Sequence, residues 1–303
     1  MDERVAALFF GWGRRNMHLR EFVRLIRVPS LSATVVPLLL GAVAGLESFR
    51  RLDISLWLDM FFVALLMQIG ANIFNEHGDF VKGVDTRPSH GFAGSIVRGA
   101  MSPREVLLTA VGVDVTASLL AIPLVIARGY VVLLAGLFGA AISVIYSEGS
   151  HPLSGTPFGE VAVGLTMGVL EVISSEFVAS GGVSGLAFAL SAPISLLVAS
   201  ILVSNNIRDL EKDKASGRRT LEVILGDSLS PFLFYFTLFS AYGLSIMNFG
   251  IMGVRGLLLP LVSLPLALWF SLRLDQDGWK LGVEYSSAIY LVFGLLLITG
   301  VLA

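Results

Sequence analysis

The sequence predicts an all-α membrane protein, with nine transmembrane helices around a central cavity. Of the 303 residues, 55% are hydrophobic and only 15% are charged, and the mean hydropathy is +0.81. A soluble domain carries about 25% charged residues, so this composition is typical of a protein embedded in a lipid bilayer. The sequence contains no cysteine, which excludes disulfides, thiolate chemistry and cysteine-bound metals. We expect residues 1–303 to form a single integral-membrane domain.

Nine segments are apolar over the roughly 20 residues that a helix needs to cross a bilayer. An N-terminal arm, residues 1–27, precedes the first of them. Pro37 lies inside the first segment, where neighbouring groups in a membrane protein can satisfy the freed carbonyl. The predicted spans are residues 28–46, 55–77, 104–126, 130–147, 159–179, 184–206, 230–249, 254–273 and 284–302.

The Lys and Arg residues predict the orientation of the chain in the membrane. With the N-terminal arm in the cytoplasm, 17 of the 21 lie on the cytoplasmic side. The four on the other side are Arg50, Arg51, Arg128 and Arg255. By the positive-inside rule we expect a cytoplasmic N-terminus and, after nine spans, a C-terminus outside the cell membrane. The formal net charge of −2 argues neither for nor against nucleic acid, and we expect no nucleic-acid partner.

Two polar stretches end apolar segments that lie four spans apart. The first acidic cluster, residues 72–85, ends predicted span 2, and the second acidic cluster, residues 204–213, ends predicted span 6. Both lie on the cytoplasmic side, and a long loop follows each. This arrangement predicts a weak parallel repeat of four helices, with a site between the halves. Acids at the end of a membrane helix are costly, so two such clusters indicate a functional site.

Helical spacing gives the first acidic cluster one polar face. Four of its residues fall at i, i+3, i+4 and i+7: Asn72, Asn75, Glu76 and Asp79. Gly78 and Gly83 loosen the end of the helix and let Asp85 fold back toward this face.

The second acidic cluster has a matching face, formed by Asn206, Asp209 and Asp213. Glu211 and Lys212 lie off this face and are expected to be solvated. Carboxylate and amide oxygens suit Mg²⁺, which usually binds one or two carboxylates together with substrate phosphates. One such cluster alone could be a set of solvated interface residues. Two clusters on the same membrane face favour a site that holds Mg²⁺ against a diphosphate.

The two clusters resemble those of a known enzyme family. NIFNEHGDFVKGVD, followed much later by NNIRDLEKDKASGRRTLEVILG, is similar to the paired motifs of the UbiA superfamily of intramembrane aromatic prenyltransferases. IRVPSLSATVVPLLLG (26–41) and IYSEGSHPLSGTPFGE (145–160) also match, so the resemblance covers nearly the whole chain. Within the superfamily the sequence is most similar to the 1,4-dihydroxy-2-naphthoate polyprenyltransferase group of menaquinone synthesis.

The resemblance implies a ligand set for Mg²⁺ and diphosphate. It assigns the metal-binding role to six residues: Asn75, Asp79, Asp85, Asn206, Asp209 and Asp213. Asp79, Asp209 and Asp213 are the expected catalytic carboxylates. At Glu76 the family commonly has Asp, so the ligand set stays open at that position.

The implied reaction is the Mg²⁺-dependent transfer of a polyprenyl group from a polyprenyl diphosphate to an aromatic acceptor. The expected acceptor is 1,4-dihydroxy-2-naphthoate, and the alternative is 4-hydroxybenzoate or another lipid-quinone or lipid precursor. Basic residues must help neutralise the leaving diphosphate, although the positive-inside rule alone explains most of them. The candidates are Arg27, Lys82, Arg98, Lys214 and Arg218, with Arg27 and Lys82 favoured. Tyr146 could stabilise the allylic cation with its ring face, or it could be an interface-belt tyrosine.

Two other classes of membrane protein were weighed against this interpretation. A cation-coupled transporter could also use paired acids, but both clusters lie at one face of the membrane rather than at its midplane. A CDP-alcohol phosphotransferase needs a DG…AR…G…D…D run, which the sequence lacks. The roles of two intramembrane acids, Asp114 and Glu171, stay open, although Glu171 could line the cavity.

Overall fold

The computed structural model describes residues 19–86 and 93–303. These residues form nine helices that are long and apolar enough to cross a membrane, which confirms the predicted fold class. The first eighteen residues of the N-terminal arm lie outside the described part of the chain. The helices are α1 (Val28–Phe49), α2 (Ile54–Val81), α3 (Pro103–Arg128), α4 (Tyr130–Ser147), α5 (Gly159–Ser180), α6 (Gly185–Arg208), α7 (Leu221–Met252), α8 (Arg255–Leu274) and α9 (Gly282–Leu302).

The predicted helix ends agree with the structure to within a few residues except at α7. This helix was predicted from residue 230 but begins at Leu221. Thr220 caps it by accepting a hydrogen bond from the backbone N–H of Val223. The helix is broken at Gly226, where φ is +73°. Its first turns carry acids, so an apolar window does not detect them.

Three of the membrane helices contain turns of other helical types. α1 begins with a 3₁₀ turn at Val28–Leu31, and α8 begins with 3₁₀ geometry at Arg255–Ser263. α5 contains a π-helical stretch at Gly164–Leu170, and its α-helical part resumes at Glu171. A short separate helix, Leu210–Ala215, follows α6. These irregular turns matter because several of them lie beside the cavity described below.

α6 lies near the centre of the bundle, packed against α5, α7 and α9. The largest fully buried side chains include Phe234, Tyr290 and Phe293 in this region. α1 packs on α5, and a Cβ atom at Gly41 would lie only 2.3 Å from the carbonyl oxygen of Val172. α2 packs on α3 as α6 packs on α7, in keeping with the weak four-helix repeat.

α3 and α4 form an apolar outer wall. Ile126 is 81% exposed, and Leu119 and Leu134 on the same wall are also exposed. A soluble protein rarely leaves so many large apolar side chains in water. The bilayer therefore covers this wall, as expected of an integral membrane protein.

Candidate active site

A cavity of about 1060 Å³ lies inside the bundle and is lined mainly by α1, α2, α4, α5 and α6. Its polar end lies where α2 and α6 terminate, and we call this the acidic end. All six residues assigned to metal binding by resemblance line the cavity: Asn75, Asp79, Asp85, Asn206, Asp209 and Asp213. Two clusters that lie more than a hundred residues apart in sequence therefore meet in one space.

The end of α2 explains how Asp85 reaches the cavity. The helix continues to Val81, and Gly83 then adopts a φ of +70°, a left-handed conformation that glycine adopts without strain. The backbone N–H groups of Val84 and Asp85 both donate to the carbonyl oxygen of Asp79, at 2.9 and 3.1 Å. The chain thus folds back over the helix end, as the glycines predicted.

Arg218 joins the two acidic clusters. Its Nη2 lies 2.5 Å from Oδ1 of Asp79, and its Nη1 lies 3.2 Å from Oδ1 of Asp213. The second oxygen of Asp213, Oδ2, is buried without a hydrogen-bond partner among the described residues. Burial raises the pKa of the Asp213 carboxyl above its ordinary value, although the nearby Arg218 guanidinium opposes that shift. One guanidinium reaching both carboxylates shows that the clusters face each other closely.

Lys212 makes a second link between the clusters. Its Nζ lies 2.7 Å from Oδ1 of the buried Asp85, and the lysine lines the cavity. The expectation that Lys212 is solvated is therefore wrong. α6 ends at Arg208, and Asp209, with φ −96° and ψ 11°, departs from helical geometry before a short helix begins at Leu210. Beyond that break, helical spacing carried over from α6 predicted Asp213 correctly but not Lys212.

Asn206 is fixed by two buried glutamates. Its Nδ2 donates to Oε1 of Glu160 at 2.6 Å and to Oε2 of Glu222 at 3.1 Å. Both glutamates are at most 5% exposed. Because the carboxylates take both amide hydrogens, the carbonyl oxygen of Asn206 is left to act as an acceptor or ligand.

Arg27 enters the acidic end from the start of α1. Its Nη1 donates to Oδ1 of Asn75 at 2.8 Å, and it lines the cavity. Its backbone has φ 53° and ψ 57°, a left-handed conformation that is costly for a residue with a side chain. Strained residues of this kind concentrate at functional sites. The conformation aims the guanidinium at the first cluster, as the 3₁₀ turn at Val28–Leu31 begins.

Glu76 is not part of the cavity lining, and it anchors the loop after α2. It is 1% exposed, and its oxygens accept the backbone N–H groups of Gly94, Ser95 and Ile96 at 3.1, 2.5 and 3.4 Å. Glu21 holds the same loop by accepting the Ser95 hydroxyl at 2.7 Å. These bonds make Glu76 an anchor of that loop, and Nη2 of Arg27 also lies 3.8 Å from its Oε2.

Three of the five basic candidates lie outside the cavity lining. Lys82 donates to the carbonyl oxygen of Ser147 at 2.5 Å. Arg98 pairs with Glu21 at 2.7 Å, which places it in the loop contact just described. Lys214 pairs with a neighbouring glutamate at 2.7 Å and is exposed. Among the five, only Arg27 and Arg218 line the cavity, and Lys212 joins them there.

Of the remaining residues singled out from the sequence, some line the cavity and one does not. Tyr146 lines the cavity near the end of α4. Asp209 also lines it, and its two oxygens accept from Arg208 at 2.9 and 2.8 Å. Glu171 lines the cavity deeper in the membrane, whereas Asp114 lies outside it and packs against Gly70.

The residues that sequence reasoning missed are Lys212, Glu160 and Glu222. A signal for the two glutamates was present. Glu160 ends the run IYSEGSHPLSGTPFGE, and Glu222 directly follows the GRRTL tail. Both acids therefore lie in or directly beside segments that carry the family resemblance, and both stand close to the start of a membrane helix.

Residues 34–280 match the model of the UbiA prenyltransferase family. The 1,4-dihydroxy-2-naphthoate octaprenyltransferase of Bacillus subtilis (strain 168) is 39% identical over 67% of this chain and 65% of that protein, slightly under two thirds of its length. The UbiA prenyltransferase domain-containing protein 1 of Danio rerio is 27% identical over 96% of this chain and 87% of its own.

The fold also has a solved counterpart. A UbiA homolog from Archaeoglobus fulgidus, bound to GPP and Mg²⁺, superposes with a TM-score of 0.66 at 18% identity. The match covers 92% of this chain and 99% of that one. A helical bundle with a cavity between two acidic clusters, together with these matches, defines an integral-membrane prenyltransferase. The chain belongs to the UbiA prenyltransferase family. Membership favours this class over the cation-coupled transporter.

Proposed function

We propose that this prenyltransferase moves a polyprenyl group from a polyprenyl diphosphate to 1,4-dihydroxy-2-naphthoate at the acidic end of the cavity. The observation that carries the proposal is the Asp79–Arg218–Asp213 bridge, because it brings carboxylates of α2 and of the chain after α6 within reach of one small charged group. A diphosphate with its cations is such a group. The name of the Bacillus subtilis relative supports the choice of acceptor.

The side chains at the acidic end fit Mg²⁺. They offer carboxylate and amide oxygens, which are the ligands that this hard cation prefers. The buried, unpartnered Oδ2 of Asp213 and the carbonyl oxygen of Asn206 add donors that the described residues do not use. A UbiA homolog of the same fold binds GPP and Mg²⁺. Bound Mg²⁺ would supply positive charge to the diphosphate during transfer.

The chain's own cations would share that task. Arg27, Lys212 and Arg218 line the acidic end, so their charges can act on the diphosphate oxygens as the allylic C–O bond breaks. The bond electrons leave with the diphosphate, and the allyl group becomes cationic. The ring face of Tyr146 is available to stabilise it.

An acceptor ring carbon then forms the new C–C bond. The ring regains aromaticity by losing a proton, or by losing its carboxyl group as carbon dioxide. Below the acidic end most of the cavity wall is apolar, and this part suits a polyprenyl tail. Residues of this wall include Met60, Val63, Met67, Leu124, Val132 and Ile173.

The orientation of the chain is part of the proposal. The positive-inside asymmetry supports a cytoplasmic N-terminus and a cytoplasmic acidic end, with the C-terminus outside. A diphosphate substrate would then enter from the cytoplasm while its tail stays in the bilayer.

The test is prenyl transfer by the purified protein in detergent. Geranylgeranyl diphosphate and 1,4-dihydroxy-2-naphthoate should give product with Mg²⁺ and none with excess EDTA. Asp79→Ala and Asp209→Ala should each abolish turnover, and full activity in either would overturn the site. Competition between 1,4-dihydroxy-2-naphthoate and 4-hydroxybenzoate identifies the acceptor, since preference for 4-hydroxybenzoate would overturn the assignment.

A further inference from the structure

The cavity carries polar side chains well below its acidic end. Gln68 lies seven residues before Asn75 on the same face of α2, which places it about 10 Å deeper at 1.5 Å per residue. Ser143 lies four residues before Ser147, whose hydroxyl is 3.5 Å from the Asn75 amide. Glu171 on α5 also lines the cavity. We call Gln68, Ser143 and Glu171 the mid-cavity polar layer.

The two carboxyl oxygens of Glu171 differ in their hydrogen bonding, since only one of them has a partner among the described residues. Oε1 accepts a hydrogen bond from Thr34 on α1 at 3.1 Å. Oε2 is buried and has no hydrogen-bond partner among the described residues. The π-helical stretch Gly164–Leu170 ends immediately before it, and such stretches are frequent at functional sites. A carboxyl at this depth in a membrane protein is costly and indicates a function.

The hydroxyl of Ser143 also lacks a hydrogen-bond partner among the described residues. Serines inside membrane helices often donate to a carbonyl one turn back, as Ser271 and Ser286 do here at 2.8 and 2.7 Å. The Ser143 hydroxyl is buried and makes no hydrogen bond within the described chain, although it lies on the cavity wall. Its donor and acceptor are therefore not used by the described residues.

The chemistry of the layer indicates what it binds. It contains an amide, a hydroxyl and a carboxyl but no cation, so it does not suit a diphosphate or a carboxylate. Its polar groups do not suit an isoprenoid tail either, for which the apolar wall is adapted. A neutral hydroxyl is the group that can both donate to Glu171 and accept from an amide or a serine.

We propose that the mid-cavity polar layer binds a phenolic hydroxyl of the aromatic acceptor, and that this hydroxyl donates a hydrogen bond to Glu171. This inference rests on the proposed function. The layer lies one to two helical turns below the acidic end, so a ring held there by one hydroxyl has its other edge directed at the allylic carbon. The layer thereby selects acceptors that carry a hydroxyl away from the attacked carbon.

Steady-state kinetics in detergent test the inference, with geranylgeranyl diphosphate, Mg²⁺ and 1,4-dihydroxy-2-naphthoate as reactants. Glu171→Gln, Gln68→Ala and Ser143→Ala should raise the KM for the naphthoate, by about tenfold for Glu171→Gln because losing one partner of a buried hydrogen bond leaves the other unpaired. The KM for the diphosphate and the half-saturating Mg²⁺ concentration should stay unchanged. An unchanged acceptor KM in Glu171→Gln and Ser143→Ala overturns the inference.

Two matched variants separate ligand binding from structure. Thr34→Val breaks the tie between Glu171 and α1, and Thr34 does not line the cavity. Ser245→Ala removes a buried, unpartnered hydroxyl like that of Ser143, but Ser245 lies away from the cavity lining. Ser245→Ala should keep the wild-type acceptor KM, and Thr34→Val should raise it by less than Glu171→Gln does. If either reproduces the effect of its counterpart, the effect is structural and the inference fails.

An acceptor analogue tests the hydroxyl itself. 1-Hydroxy-2-naphthoate lacks one hydroxyl, and as a competitive inhibitor it should bind wild type more weakly than the dihydroxy compound does. Glu171→Gln should bring the two affinities together, because the contact that distinguishes them is gone. A ratio that stays at the wild-type value overturns the inference. Wild type that prenylates neither 1,4-dihydroxy-2-naphthoate nor 4-hydroxybenzoate overturns the proposed function instead.

Discussion

The guanidinium of Arg218 lies 2.5 Å from the Asp79 carboxylate, although 139 residues separate the two in sequence. The same guanidinium reaches Asp213, so a single side chain spans both acidic clusters. A planar fork with five donors can do this, whereas a lysine offers only one charged point. Arg218 therefore sets the distance between the two halves of the site and brings positive charge to its centre.

Arg218→Ala should reduce kcat/KM for prenyl transfer by about 100-fold or more, as loss of one preorganised charge-stabilising donor typically does. Arg218→Lys should recover only part of the loss, because the bridge needs two donors in a fixed geometry. Steady-state transfer rates with geranylgeranyl diphosphate measure both. The neighbouring Arg219 is exposed, so Arg219→Ala is the matched control and should stay near wild type. Equal losses in the two alanine variants would contradict a role for the bridge.

The first acidic cluster was more predictable from sequence than the second. α2 remains one helix to Val81, so helical spacing aligns Asn75 and Asp79 correctly. The second cluster is interrupted at Asp209, and the spacing rule then misplaces Lys212. Helical spacing predicts reliably which residues share a face only while the helix is continuous. The sequence carries no clear signal for the break at Asp209.

Helical spacing does not predict contacts between segments that are distant in sequence. The partners of Glu76 are backbone N–H groups 18 to 20 residues further along the chain, in a loop without periodicity. Three basic candidates that the charge pattern singled out lie outside the cavity lining for the same reason, since their partners are chosen by tertiary packing. The nine spans, in contrast, depend on apolar length alone and were predictable.

Lys212 and Lys214 offer a direct comparison of two lysines two residues apart. Lys212 pairs with the buried Asp85 inside the cavity, whereas Lys214 is exposed. Lys212→Ala should raise the KM for geranylgeranyl diphosphate by about tenfold, the scale of one charge-assisted hydrogen bond. Lys214→Ala should leave it unchanged. A raised KM in Lys214→Ala but not in Lys212→Ala would contradict this and support Lys214 as the diphosphate-binding lysine.

Glu76→Gln should destabilise the protein without changing its affinity for Mg²⁺. The variant weakens three hydrogen bonds from the loop at residues 94–96 to a buried carboxylate, at a cost of about 1–3 kcal/mol. Thermal unfolding in detergent measures that cost, and activity against Mg²⁺ concentration measures metal affinity. Asp79→Asn is the counterpart. It should raise the Mg²⁺ concentration needed for half-maximal activity, with a smaller effect on thermal unfolding. A shifted Mg²⁺ requirement in Glu76→Gln would make Glu76 a ligand rather than a loop anchor.

Metal binding should weaken in mild acid, and Arg218 should set where this occurs. Burial raises the pKa of the Asp213 carboxyl, and the Arg218 guanidinium counteracts part of that rise. Because the ligand is the carboxylate, affinity falls as pH drops through this raised pKa. Arg218→Gln leaves burial opposed by less positive charge, so the pKa of Asp213 rises further and the midpoint of metal binding moves to higher pH. Mn²⁺ binding followed by electron paramagnetic resonance checks the direction without requiring turnover. Arg219→Gln should keep the wild-type midpoint, and a shift of Arg218→Gln toward lower pH would contradict the assigned coupling.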